Sequence, residues 1–357
     1  MTRKTLRIAA GLAAFAVLAA APGAALAWNN RGHMLVAAVA WGKMSPATRT
    51  KVNALLKQNP LYPQWVAGVP SASRPVTAFL KAATWPDIIK GRICKLNADP
   101  QPTPPNTSDP NTSENVWHGA ADKICYIDDG STPPAGPTAS RNVGYSDMLL
   151  HKYWHYEDLP FATDGGATEP APGVNAGTQI TAMRDQLRTG SAAQQAYAVP
   201  WLIHMTGDIH QPLHATSRFV AGRADHGGNA VKVCTTQTTC TLGSSQSLHS
   251  FWDGALGADQ DLKVIRAEAD KLCNATAVKQ KLCDPQAAGA EEVTDPEAWI
   301  AGSFDLAKAS AYAAPVGATT STAFRLDDAY RTNAARVARG QVALAGARLA
   351  KLLEASL

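Results

Sequence analysis

Twice in this chain a histidine precedes an aspartate by four residues inside an apolar, aromatic run: His204 and Asp208 within Trp201-Leu-Ile-His-Met-Thr-Gly-Asp, and His249 and Asp253 within Leu248-His-Ser-Phe-Trp-Asp. Four residues is close to one helical turn, so each pair projects from one face of a helix. After the first pair, Gln211-Pro212 interrupts helical hydrogen bonding and lets the chain present His214 beside that face. His204, Asp208 and His214 then offer one cation two nitrogens and a carboxylate, a donor set suited to zinc. For a single pair, a core or capping histidine is the competing reading. Repetition favours metal, since His155 in Trp154-His-Tyr-Glu-Asp158 and Asp87 after Trp85-Pro86 place further donors in aromatic surroundings.

The first 27 residues read as a secretory signal. Arg3, Lys4 and Arg7 form a basic start, Ile8 to Ala21 is apolar, and Ala25-Leu26-Ala27 is a small-x-small cleavage signature. The apolar run is short for a membrane anchor. A periplasmic or secreted location is therefore expected, and the six cysteines are an even number compatible with disulfides. Proximity suggests 94/125, 234/240 and 273/283, among fifteen possible connectivities. Export also changes the charge. The whole chain carries 33 basic and 29 acidic residues, or +4; without the three basic residues of the leader it is 30 minus 29, or +1. A near-neutral surface disfavours a strongly basic nucleic-acid platform, so a polyanion would be gripped mainly by bound cations.

The remaining 330 residues, 28–357, are predicted to form one all-α domain, mainly helical with one short β-hairpin and long surface loops. Helices are expected at about 34–44, 47–58, 76–90, 145–156, 178–187, 191–209, 248–256, 258–273, 295–314 and 323–355, with a hairpin opening at Asp225-His-Gly-Gly-Asn229 and closing near Thr241. The Pro-, Asn- and Ser-rich stretch 98–140 and the Gly/Pro stretch 162–177 are expected as loops.

Cleavage after Ala27 would make Trp28 the first residue, five before His33. A free α-amino group, with a pKa near 8, can chelate a cation together with its own carbonyl. An N-terminal Trp with a nearby His, followed by Trp-x-Asp, His-x-x-Asp, His-x3-Asp-x5-His and His-x3-Asp in that order, resembles the single-strand-specific zinc nucleases of fungi, plants and bacteria, whose fold is shared with bacterial zinc phospholipase C. The likeness spans nearly the whole mature chain.

The resemblance implies three zinc ions. One would take Asp87, His155, His204 and one oxygen of Asp208; a second, the Trp28 amine and carbonyl, His33 and the other Asp208 oxygen; a third, His214, His249 and Asp253. It further implies hydrolysis of single-stranded DNA and RNA to 5′-phosphate products, with 3′-nucleotidase activity as a further expectation, by a monomer without a membrane anchor. Asp158 matches the residue that orients the attacking water, against a solvated or supporting role. Lys90 matches a basic residue that steadies the phosphate, and Asn229 lies in the family's glycine turn, where a base contact competes with ordinary turn chemistry. Trp154, Trp252 and Phe251 could stack on bases, though core packing is the better reading. His118, His151, His210 and His226 fall outside the motifs, and Gly254 stands where relatives often carry a polar side chain. A zinc phospholipase C and a non-catalytic zinc-binding protein are the alternatives; the position of His33 and the choice of Asp253 over Glu point to a nuclease.

Overall fold

The computed structural model describes residues 28–93, 95–96, 102–103, 124–235, 239–273, 294–318 and 321–357. The leader 1–27, His118, Cys94, Cys283 and the side chain of Cys273 lie outside the described residues, and with them the 273/283 pairing and Cys94's half of the 94/125 pairing.

Eleven α-helices carry the described chain: α1 (Asn30–Lys43), α2 (Pro46–Leu56), α3 (Tyr62–Trp65), α4 (Arg74–Ala82), α5 (Trp85–Lys90), α6 (Ala176–Thr189), α7 (Ala192–Asp208), α8 (Leu248–Asp253), α9 (Leu262–Cys273), α10 (Pro296–Leu306) and α11 (Asp328–Ser356). Their starts are written locally. Ser45, Ser191, Ser247 and Asp327 accept backbone N–H groups at the first turns of α2, α7, α8 and α11, and Ser191 with Gln194 forms a capping box. α1 is buried on almost every side over residues 31–40, because α4, α7, α9 and α11 surround it. Gly346 permits this closeness, since a Cβ there would lie 2.5 Å from Val39 Cβ.

α7 is the second buried helix, with every residue from Ala196 to Asp208 in the interior. Pro200 sits inside it and cannot donate to Ala196. The Tyr145 hydroxyl takes that place, donating to the Ala196 carbonyl at 2.9 Å. The helix stops where Gln211 turns extended ahead of Pro212, and a short 3-10 turn, Pro212–His214, follows.

Four expectations change. The 145–156 segment is not an α-helix: Asp147 caps its own turn by accepting from Leu149 N–H, Leu149 bridges to Ile127, and His151 adopts a left-handed backbone (φ 47°), leaving only a 3-10 turn at Lys152–His155. The 76–90 helix divides into α4 and α5 at Ala83-Thr84, and the last helix begins at Asp328 instead of Ala323. The expected hairpin returns at Gln246–Ser247 and not near Thr241, and it forms part of a larger sheet; among the described residues there are a two-stranded sheet, β1 (Lys95–Leu96) antiparallel to β2 (Pro102–Thr103), and two three-stranded sheets. In one, β3 (Pro160–Ala162) runs parallel to β4 (Ser217–Val220), which pairs antiparallel with β5 (Arg223–Ala224). In the other, β6 (Lys232–Cys234) lies between antiparallel β7 (Gln246–Ser247) and parallel β8 (Ala323–Arg325). The loop between β6 and β7 is clipped by the Cys234–Cys240 disulfide, and Cys125 is also disulfide-bonded.

Two hydrophobic clusters result. The larger surrounds α1, α7 and the aromatic side chains Trp85, Trp154 and Trp201; the smaller joins Leu213, Val231, Val233, Leu248, Trp252 and Tyr330 around α8. The polar ligand candidates lie where the two meet. Among the described residues no helix is long and apolar enough to cross a membrane.

Candidate metal centre

Eight buried side chains from six segments converge at this junction: His33 from α1, Asp87 from the first turn of α5, His155 from the 152–155 turn, His204 and Asp208 from α7, His214 from the turn after it, and His249 and Asp253 from α8. They form two groups. In the first, Asp208 stands at the centre with its two oxygens facing different partners. Oδ2 lies 3.0 Å from His155 Nδ1 and 3.2 Å from His204 Nε2, while Oδ1 lies 3.2 Å from His33 Nε2. Asp87 closes the group, with Oδ1 3.6 Å from His204 Nε2 and Oδ2 3.8 Å from His33 Nε2. The His33 and His204 rings stack at 3.9 Å. Gly207 makes room for them: a Cβ there would come 2.9 Å from His33 Nδ1.

The second group is His214, His249 and Asp253. The two Nε2 atoms are 3.0 Å apart and Asp253 Oδ1 is 3.7 Å from His249 Nε2. His214 therefore does not complete one site with His204 and Asp208, as the helix spacing alone suggested. The extended turn at Gln211 carries it across to α8.

Main-chain carbonyls aim three of these rings. His204 Nδ1 faces the Ala83 carbonyl at 2.7 Å, His214 Nδ1 the His155 carbonyl at 2.8 Å, and His249 Nδ1 the Gly227 carbonyl at 2.7 Å. A carbonyl can only accept, so Nδ1 carries the proton and a neutral ring turns a bare lone pair of Nε2 inward. Lone pairs facing each other at 3.0 Å need a proton or a cation between them.

Electrostatics point the same way. Burial holds His33, His155, His214 and His249 below the ordinary histidine range, with His155 and His249 at about 3, so these four are neutral bases. His204 goes up: Asp208 and Asp87 outweigh its burial. Burial alone would raise Asp87 and Asp208, yet Lys90 and His204 hold the first well below the carboxylate range, and His204, His155 and His33 do so for the second. Asp253 is pushed well up by burial and by the charges of Asp87 and Asp208. Against these three carboxylates Lys90 places one ammonium, donating to Asp87 Oδ1 at 2.8 Å. Buried carboxylates left in excess cost several kcal/mol each, a debt that divalent cations cancel. His33 Nε2 and Asp208 Oδ1 are buried without a hydrogen bond, and both point into the first group. The nitrogen and oxygen donors, the absence of cysteine among them and the orphaned atoms fit zinc.

Other candidates take distinct places. Trp28 is fully buried against the first turn of α1, where a Cβ on Gly32 would lie 2.7 Å from its own Cβ. The next residue ties it to the second group, Asn29 N–H donating to the Asp253 carbonyl at 3.2 Å. Asp158 is half-buried, and among the described residues its carboxylate accepts no hydrogen bond; burial and the nearby Asp225 raise it to about 7. Asn229 donates to the His226 carbonyl at 2.8 Å within its own turn. Trp154 and Trp252 are core residues, their indole N–H groups donating to the Ala139 carbonyl and the Tyr330 hydroxyl. Phe251 packs half-buried against Tyr330. His210 faces the Thr206 carbonyl through Nδ1 and accepts from Arg348, His151 lies between Asp129 and Asp147, and His226 is exposed in its turn.

The groups that hold the ligands leave little trace in the sequence. Gln211 was legible only as a helix breaker, yet its side chain donates to Asp253 Oδ1 at 2.8 Å and accepts from Leu213 N–H, joining His214's turn to α8. The carbonyls of Ala83, His155 and Gly227 have no side-chain signature at all.

Residues 28–100 and 140–357 match the sequence model of the S1/P1 nuclease family. No curated protein matches the chain.

Proposed function

The chain belongs to the S1/P1 nuclease family, and from that premise we propose that it is an exported, monomeric zinc endonuclease that hydrolyses single-stranded DNA and RNA to 5′-phosphate products. The 3′-nucleotidase reaction is part of the same proposal. The observation that carries it is the division of Asp208, one oxygen toward His155 and His204 and the other toward His33. A carboxylate so placed can serve two cations at once. Asp87, His155, His204 and Asp208 would hold one zinc; His33, Asp208 and the Trp28 terminus a second; His214, His249 and Asp253 a third. When bound, zinc supplies Lewis acidity and lowers the pKa of water.

The protein's own groups do the rest. Asp158 keeps lone pairs free, and in its ionised form it accepts a hydrogen bond from the water that attacks phosphorus and fixes that water's direction. The Lys90 ammonium, buried beside Asp87, adds positive charge where the phosphate's charge grows. Trp201 packs edge-on to His155 at 5.4 Å, backed by Trp154, and keeps that ring in place. With a near-neutral mature surface, the cluster and not a basic field grips the polyanion.

Purified mature protein assayed on single-stranded DNA, RNA and phosphatidylcholine, with and without chelator and with product ends identified, tests the proposal. Chelator-sensitive cleavage of both nucleic acids leaving 5′-phosphates is expected. Lipid cleavage without nucleic-acid cleavage would overturn it in favour of a phospholipase C, and metal binding without any hydrolysis would leave a non-catalytic zinc protein.

A further inference from the structure

Asp225 touches none of the eight ligand candidates, yet it organises the loop that aims one of them. Its Oδ1 accepts three hydrogen bonds, from Arg218 N–H at 3.0 Å, Gly228 N–H at 3.1 Å and the Tyr312 hydroxyl at 3.0 Å, while Oδ2 lies 3.2 Å from Arg218 Nε. Asp225 is 2% exposed. Immediately after it come three consecutive left-handed residues, His226 at φ 51°, Gly227 at 62° and Gly228 at 78°. Such a run is unfavourable, most of all at His226, and persists only when its surroundings fix it. A Cβ on Gly227 would lie 2.2 Å from the Leu213 carbonyl oxygen, so this backbone is pressed against the turn that carries His214. The same Gly227 carbonyl receives His249 Nδ1–H.

We infer that Asp225 is a positioning residue for the second ligand group: by holding Gly228 N–H and Tyr312 it locks the left-handed run, which fixes the Gly227 carbonyl and thereby turns His249 Nε2 toward His214. The inference rests on the reading that His214, His249 and Asp253 hold a metal. Its chemistry is that of a support to a ligand, whose loss weakens metal affinity by about 10- to 100-fold.

The test is a titration of the mature protein with Zn2+ against a competing chelator, on the parent and on His249→Ala, Asp225→Ala, Asp225→Asn and Tyr312→Phe. His249→Ala should lose one zinc equivalent. Asp225→Ala should bind that same equivalent about 10- to 100-fold more weakly with the others unchanged. Asp225→Asn, which keeps the Oδ1 acceptor, should restore most of the affinity. A merely structural role would lower every equivalent together and would not single one out. If Asp225→Ala does not fold, Tyr312→Phe decides by the same titration: a weakening of that equivalent alone supports the relay, and parent affinity overturns it. Parent affinity in a folded Asp225→Ala, with the equivalent lost in His249→Ala, overturns the positioning role by itself. Parent zinc content in His249→Ala overturns the metal reading of the group, and the relay with it.

Discussion

His214 and His249 face each other through Nε2 atoms 3.0 Å apart, each with its Nδ1 proton already given to a main-chain carbonyl. Two acceptors at that distance repel unless something positive lies between them, so bound cations would stabilise this pair and the carboxylates around it. Removing metal with a chelator should lower the melting temperature, and zinc should restore it. At free zinc 1,000 times Kd, linkage gives about 4 kcal/mol per site. Calorimetry across a zinc series checks this, and an unchanged melting temperature would sink it.

His204 and Asp208 belong to the first group, whereas His210, two residues on, is bound to Thr206 and Arg348. His204→Ala and Asp208→Asn should each lower kcat/KM by about 1,000-fold or more, the several kcal/mol that a lost Lewis acid is worth. His210→Ala should retain most activity while losing about 1–3 kcal/mol of stability with the buried ring's hydrogen bonds to the Thr206 carbonyl and Arg348. Steady-state kinetics beside thermal melts separates the two effects. Equal loss of activity in all three variants would refute the ligand assignment.

Maturation at Ala27-Trp28 is expected to create a ligand as well as a new terminus. A form that keeps even one residue before Trp28 carries an amide where the α-amine would be, and should hold one zinc equivalent less firmly with reduced turnover. Metal analysis of both forms is decisive. Full zinc content and full activity in the extended form would remove Trp28 from the site.

His151 gives a pH-dependent stability. Its burial favours the neutral ring, but Asp129 and Asp147 outweigh that and raise its pKa above 6.5. Protonated His151 therefore contributes stability that is fully present below about 6.5 and is lost as pH rises through the raised value. The destabilisation caused by His151→Gln should reach about 3 kcal/mol on the acidic side of that window and shrink on the alkaline side. Urea unfolding of both proteins across pH measures it; a difference independent of pH would show that His151 acts through packing on Trp154 alone.

The helices α2, α6 and α7 were readable because caps and apolar spacing agree there, and the His/Asp pairs were readable because one turn of helix brings four-residue neighbours together. The 145–156 segment misled because its apolar and aromatic side chains suit a helix while Asp147 and the left-handed His151 turn its backbone elsewhere. Most of the strands were hidden for another reason. They are two to four residues long, and their parallel partners lie far along the chain, as with Phe161 beside Arg218 or Val233 beside Phe324. No local pattern of alternation can develop over so few residues. The grouping of His214 with α8 likewise depends on where a turn points and not on spacing.

The carbonyls that hold His204, His214 and His249 have a consequence for how this centre tolerates change. A carbonyl belongs to the path of the chain and not to any side chain, so substituting Ala83 by a residue that keeps the same backbone leaves its support of His204 in place. The orientation of the rings is thus insulated from most point substitutions and exposed to insertions, deletions and prolines, which shift the path itself. Damage to this centre should come more readily from a changed loop length than from a changed letter.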